Sequence, residues 1–269
     1  MSRMGAAFAE LARRGEGAYI PYVCMGDPDR DFTLSLAGAL FDSGADIIEL
    51  GVPFSDPVAD GPVIQGAMNR SLENGFRVSE VFRTVESIRR EGHRQPIVLM
   101  TYANPVMRMG TKEFCSRAAR SGADAVLMVD MPIEESGLFD SHAKENGLDV
   151  IRLATPSTDD ARLAELLSRA SGFLYAVSEA GVTGARSRLP ESATTLLRRA
   201  SAASGIPVVL GFGISAPDQV REAIAAGASG VVEGSALVSA YAPYLDDRPR
   251  ALREVAAHAA EMKEATRRP

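Results

Sequence analysis

The stretch "IELGVPFSDPVADGP", residues 48–62, runs from an apolar strand into a stiff loop. The loop holds Asp56 and Asp60 among Pro53, Pro57, Gly61 and Pro62, and the strand itself contains a carboxylate, Glu49. Alternation along an extended chain puts Ile47, Glu49 and Gly51 on one face and Ile48 and Leu50 on the other. A carboxylate on an inward face is costly unless it is paired, hydrogen-bonded or protonated. One possibility is a structural Glu satisfied by backbone donors. The other is a carboxyl whose pKa is lifted toward neutrality by burial, as proton transfer requires. Such groups cluster at functional sites, so Glu49 is taken as a proton carrier. Asp60 has two roles open to it: capping a helix that starts near Pro62, or facing Glu49 over the strand end.

Seven further runs place this strand in a series: "YIPYVC" (19–24), "PIVLMTY" (96–102), "AVLMVD" (125–130), "DVIRLA" (149–154), "FLYAVS" (173–178), "IPVVLGF" (206–212) and "GVVEG" (230–234). Segments of helical period lie between them, at 31–43, 112–121, 159–170, 190–203 and 217–226. Strands that are apolar almost throughout are buried on both faces, which is the mark of a parallel sheet. Strict alternation of strand and helix gives an α/β fold. "DSGADIIELG", "RSGADAVLMVD" and "AAGASGVVEGS" repeat one grammar of helix end, Gly, turn and strand. Eight such units in 269 residues predict one domain, 1–269, folded as a (β/α)8 TIM barrel, with a doubly wound sheet as the alternative. Residues 62–95 hold more helix than one crossover needs, which predicts a helical insertion after strand 2. A helix over 2–14 is expected to cap the barrel bottom.

Composition excludes several classes. The net charge is -6 with scattered Lys and Arg, so no nucleic-acid footprint is present. No run approaches the roughly 20 apolar residues of a membrane span. His93, His142 and His258 lack metal-ligand spacing to one another and to Cys24 and Cys115, so no metal site is expected. The first residues form an amphipathic segment and not a signal peptide. A cytoplasmic protein is expected.

Near the C-terminus, "GFGIS" (211–215) follows strand seven and "EGSA" (233–236) follows strand eight. In barrels these two loops form a phosphate cradle, for which Gly213, Gly234 and Ser235 offer backbone N–H groups and a hydroxyl. Ordinary βα turns are the bland alternative. "SEAGVTGARSR" (178–188) is long for such a loop. Either it is a plain surface loop, or it is a lid ending at Arg188 whose Thr183 reaches Asp60, with Gly184 as a further phosphate donor.

Four of these pieces resemble the tryptophan synthase alpha subunit family: "ELGVPFSDPVADGPVIQGA" (49–67), "IPYVCMGDP" (20–28), "SEAGVTGA" (178–185) and "GFGISAPDQV" (211–220). The similarity runs nearly end to end. It implies a lyase that cleaves indole-3-glycerol phosphate to indole and glyceraldehyde 3-phosphate. It further implies Glu49 as the acid–base group, Asp60 at the indole nitrogen, Tyr175 beside the reacting group, and phosphate held around Gly184, Gly213, Gly234 and Ser235. Tyr22, Met100, Leu127, Val129, Leu153, Val177, Phe212 and Val232 match the indole pocket. The resemblance also implies an α2β2 assembly docked near Asp56, Pro57, Asn104 and Pro132, with PLP only in the beta partner and no cofactor in this chain.

Cys24 and Val129 depart from the family pattern and alter the pocket's shape. So does Glu233, a carboxylate expected to repel the phosphate by about 4 kcal/mol at 4 Å and an effective dielectric of 20, unless it points to solvent or pairs with an arginine. A free-standing lyase and a weakly catalytic activator subunit are the competing functions. A different phosphosugar barrel would leave "ELGVPFSDPVADGP" unexplained.

Overall fold

The computed structural model describes residues 2–178 and 188–268, and in it the eight apolar runs are parallel strands. In chain order the elements are α1 (Arg3–Arg13), β1 (Ala18–Cys24), α2 (Arg30–Asp42), β2 (Ile48–Gly51), α3 (Pro62–Glu73), α4 (Val78–Arg90), β3 (Ile97–Thr101), α5 (Ala103–Met109) and α6 (Thr111–Ser121). They continue as β4 (Ala125–Met128), α7 (Gly137–Glu145), β5 (Asp149–Ala154), α8 (Asp160–Arg169), β6 (Leu174–Val177), α9 (Glu191–Ala203), β7 (Val208–Gly211), α10 (Pro217–Ala225), β8 (Gly230–Glu233), α11 (Ser235–Tyr241) and α12 (Arg248–Glu264).

Each strand pairs with the next in sequence, and β8 returns to β1 with Ile20 opposite Val232. That closure makes the sheet a (β/α)8 barrel and removes the doubly wound alternative. Both faces of the strands are covered, which explains why their sequences barely alternate. The insertion after β2 is the pair α3 and α4. Helices α5, α7, α11 and α12 lie outside the helical segments read from sequence. The 17-residue α12 buries Ala251, Val255, Ala259 and Met262, and two of these four are alanines set among charged residues, too weak to mark a strong stripe.

Helix α1 closes the N-terminal end of the barrel as expected. Its Ser2 cap accepts from the Gly5 N–H, and Phe8 packs edge-on against Phe173, just before β6, at 5.9 Å. Arg3 bonds Asp124 at 2.6 Å, and the same carboxylate takes Arg89 at 2.7 Å and the Ile97 N–H at 2.8 Å. At the opposite end, the fully buried Asp27 takes Arg70 of α3 bidentately, at 2.8 Å each, and the Tyr241 hydroxyl of α11 at 2.6 Å. It thereby ties the β1 loop to the two helices that flank the barrel mouth.

Candidate active site

Glu49 stands on β2 opposite Tyr22 of β1 and Val98 of β3. It is buried, and its Oε2 has no hydrogen-bond partner among the described residues. Burial, and after it the nearby charge of Asp60, pushes its carboxyl up to about 8. A protonated acid at neutral pH, with a free oxygen inside a barrel mouth, is a group prepared for proton transfer.

Asp60 does not cap the following helix: the N-cap of α3 is Gly61, which makes no side-chain cap bond. Its carboxylate instead accepts the Tyr102 hydroxyl at 2.6 Å, while the Ala59 N–H donates to that same hydroxyl at 3.1 Å. Phe54 covers the Tyr102 ring at 5.2 Å, and the Gln65 side chain donates to the Asp60 carbonyl at 2.8 Å. Burial raises the Asp60 pKa and the Tyr102 bond pulls it down. Tyr102 lies outside the residues expected from sequence, although it ends the third apolar run, where barrels place functional groups.

Tyr175 projects from β6 across the end of β7. A Cβ at Gly211 would stand 2.2 Å from its hydroxyl oxygen, so only glycine leaves room for the phenol. Burial, then the charges of Glu49 and Asp60, hold that phenol well above its ordinary pKa. Phe212 meets the ring edge-on at 6.0 Å. Of the other predicted wall residues, Tyr22, Met100, Leu127, Val177 and Val232 are buried, while Val129, Leu153 and Phe212 are partly open. Register puts Gly51, Met100 and Leu127 side by side, and Leu153 beside Tyr175. An apolar wall with a few convergent polar groups suits a flat aromatic ligand.

The two C-terminal turns have unusual backbone. Phe212 and Gly213 both take positive φ, at 67° and 77°. For a bulky residue such as Phe212 this is a true outlier, held where the Ser178 hydroxyl donates to its carbonyl at 2.6 Å. Buried Gln219 organises the rest of that turn. Its Oε1 accepts from the Ser215 and Ala216 N–H groups at 2.8 and 3.1 Å, and its Nε2 donates to the Gly213 carbonyl at 3.1 Å. Gln219 was missed in the sequence, where it reads as one more polar helix residue. Gly234 is the N-cap of α11 and Ser235 its first residue; a Cβ on Gly234 would point at Tyr22 and Ile64. That turn therefore borders the mouth.

Glu233 corrects the sequence expectation. Because Val232 faces the barrel interior, Glu233 faces outward, fully buried beneath α12. Tyr19 donates to its Oε2 at 2.6 Å and the His258 ring bonds its Oε1. It points at neither solvent nor an arginine, and it is turned away from the mouth, so the predicted repulsion of phosphate does not arise. Thr183 and Gly184 lie outside the described residues. Arg188 is exposed, 4.0 Å from Glu222 of α10. Asp56, Asn104 and Pro132 are exposed beside two bare apolar side chains, Val58 (83%) and Met107 (59%), whereas Pro57 is buried. Among the described residues no cluster of His, Cys, Asp and Glu could hold a metal, and no helix is long and apolar enough to cross a membrane.

The family model for the tryptophan synthase alpha chain matches residues 8–267. The chain is 46% identical to the tryptophan synthase alpha chain of Gluconobacter oxydans over 247 residues, 92% of this chain and 91% of the relative. It is 42% identical to that of Edwardsiella ictaluri over 267 residues, 99% and 100% of the two chains. A Mycobacterium tuberculosis tryptophan synthase structure superposes with a TM-score of 0.91 at 36% identity, covering 100% and 99%. A Pyrococcus furiosus tryptophan synthase a2b2 complex gives 0.87 at 42% identity, covering 92% and 98%. With the barrel, the buried Glu49 and the paired C-terminal turns already in view, this similarity has one meaning: the chain belongs to the tryptophan synthase alpha chain family.

Proposed function

We propose that this chain is the alpha subunit of a tryptophan synthase and cleaves indole-3-glycerol phosphate by retro-aldol chemistry to indole and glyceraldehyde 3-phosphate. The observation that carries this is Glu49: a buried carboxyl near pKa 8, with one oxygen unpartnered, beside the second carboxylate Asp60. Protonated Glu49 gives its proton to C3 of the indole ring, and Asp60 stabilises the positive charge that develops at N1–H. The glyceryl carbon attached to C3 carries a hydroxyl. Glu49, now a carboxylate, takes that hydroxyl proton as the C–C bond breaks. The bond's electrons return to the ring, indole leaves, and the aldehyde forms. Glu49 ends the cycle protonated, so one residue with a pKa near neutrality serves both steps.

Tyr175 borders the reacting carbon. Met100, Leu127, Val129, Leu153, Phe212 and Val232 enclose the ring, and backbone at Gly184, Gly213, Gly234 and Ser235 holds the phosphate. Thr183 and Arg188 keep the lid role expected from the sequence. The reaction uses no cofactor in this chain, and PLP is assigned to the beta partner. The exposed face with Asp56, Val58, Asn104, Met107 and Pro132 is the docking side in an α2β2 assembly, a reading supported by the Pyrococcus furiosus relative. We further assign the whole of residues 1–269 to one barrel domain working in the cytoplasm.

The test is direct. The purified chain, alone and with a tryptophan synthase beta chain, is incubated with indole-3-glycerol phosphate while indole and glyceraldehyde 3-phosphate are followed. Equal yields of both, formed faster with the beta chain present, are expected. Absence of indole in both samples would remove the lyase assignment.

A further inference from the structure

Two polar atoms at the barrel mouth are completely buried and lack any hydrogen-bond partner among the described residues: Glu49 Oε2 and the Tyr22 hydroxyl. The phenol of Tyr22 leans along the barrel wall until it covers Gly51, the last residue of β2. A Cβ on Gly51 would stand 2.1 Å from the hydroxyl oxygen. Gly51 pairs with Cys24, two residues beyond Tyr22 on the same strand. On the other side of the mouth the same construction recurs. Tyr175 covers Gly211, the last residue of β7, and Gly211 pairs with Val177, two residues beyond Tyr175. Two phenols, each given room by a strand-ending glycine, thus bracket the space above Glu49.

Among the described residues the Tyr22 hydroxyl has no good acceptor in the wall. The Cys24 thiol lies beside it, but sulfur accepts weakly. Losing a hydrogen bond on burial is costly, so a donor left bare in a functional pocket implies that the ligand supplies the acceptor. An unsubstituted indole ring cannot supply it: its one polar group is the N–H, a donor, which the reading above gives to Asp60. The glyceryl hydroxyl next to the ring can, because an alcohol offers one donor and two acceptor positions. A single hydroxyl there satisfies both bare atoms, donating to Glu49 Oε2 and accepting from Tyr22.

We propose that Tyr22 is a catalytic residue and not merely part of the indole wall: its hydroxyl donates to the glyceryl oxygen that becomes the aldehyde oxygen. This rests on the lyase reading above. Tyr22 keeps its proton throughout. The hydroxyl proton passes to Glu49, the C–C bond electrons return to the indole ring, and no bond to Tyr22 forms or breaks. Its bond strengthens as negative charge gathers on that oxygen, so its effect falls on turnover more than on binding.

The test uses the full chain with its beta partner and the variant Tyr22→Phe, which removes one oxygen from an otherwise unchanged ring. Two quantities are measured: kcat for indole-3-glycerol phosphate cleavage, and Kd for 3-(indol-3-yl)propyl phosphate, which keeps ring and phosphate but lacks the glyceryl hydroxyls. The expected result is a five- to tenfold fall in kcat, about the worth of one neutral hydrogen bond, with the analogue's Kd unchanged within twofold. A kcat within twofold of wild type would overturn the assignment. So would an analogue Kd weakened by the same factor as kcat, since the hydroxyl would then act on the ring or the pocket shape. A wild-type chain that itself forms no indole would overturn the lyase reading and this assignment together, and is recognised because the failure does not depend on Tyr22.

Discussion

Replacing His258 by leucine isolates the buried Glu233 carboxylate. In the folded protein Glu233 is fully buried, with Tyr19 on one oxygen and His258 on the other. Removing one member of a buried ion pair costs about 3–5 kcal/mol, because the remaining charge is left desolvated. Tyr19 still serves one oxygen, and the His258 side chain is 25% exposed, so water can reach the gap. The lower end, ~3 kcal/mol, therefore applies. At about 2–4 °C per kcal/mol for a chain of this size, the melting temperature falls by roughly 6–12 °C.

The double variant Glu233→Val/His258→Leu exchanges the pair for packed apolar groups and recovers to within about 1 kcal/mol of wild type. The effect depends on pH with a defined sign. The Glu233 bond is the largest influence on His258 and raises its pKa above the usual 6.5, with Glu261 adding to the rise and burial opposing it. The ionic part of the stabilisation is thus complete below about pH 6.5 and is lost as pH climbs through the higher folded value. Thermal unfolding followed by circular dichroism at pH 6 and pH 9 measures all of this. A single variant melting within 2 °C of wild type at pH 6, or a double variant no more stable than the single, would refute the pairing. Glu233→Val should leave the KM for indole-3-glycerol phosphate within twofold, because the side chain faces the helices.

Three further expectations concern the mouth. Glu49→Gln should abolish cleavage yet stabilise the protein. The folded carboxyl stays protonated up to about pH 8 while the unfolded one ionises near 4.5, so wild-type stability falls across that window. The variant should therefore gain on the order of 4 kcal/mol at pH 8 and nothing near pH 4, as read by denaturant unfolding. Tyr102→Phe removes the 2.6 Å bond to Asp60 and lets the Ala59 loop relax. A bond to a charged group is worth about 1.5–3 kcal/mol, so kcat/KM should drop roughly tenfold or more, with steady-state kinetics as the check. Gly211→Ala puts a methyl 2.2 Å from the Tyr175 hydroxyl and must displace the phenol. Destabilisation of about 1–3 kcal/mol with severe loss of turnover is expected, and retention of full activity would show that Tyr175 does not need its observed position.

Much of the fold was legible because burial on both faces writes itself into a strand as an unbroken apolar run. Eight such runs count directly to a barrel, and each observed strand falls within two residues of its expected start. Helix α12 was not legible, since Ala251 and Ala259 carry little hydrophobic signal against Arg248, Arg250 and Arg253. Glu49 was legible because a charge inside an apolar run demands a reason. The Asp60–Tyr102 bond was not: the partners are 42 residues apart, and it is the parallel pairing of β2 with β3 that brings their loops together. The orientation of Glu233 is legible in the sequence, against the repulsion first expected of it. Assigning Val232 to the pocket already sends Glu233 to the opposite face, because side chains alternate along a strand. What sequence alone could not supply was its acid-to-imidazole pairing with His258 across 25 residues.

The most direct test of the whole account is a single-turnover comparison of wild type and Glu49→Gln on indole-3-glycerol phosphate at pH 7.5, each with the beta chain present and indole quantified. Indole formed stoichiometrically with glyceraldehyde 3-phosphate by wild type, and reduced by three orders of magnitude or more in Glu49→Gln, about 4 kcal/mol of transition-state stabilisation, is the predicted result. Comparable indole from both proteins would contradict the account, because proton transfer would then run through some group other than Glu49.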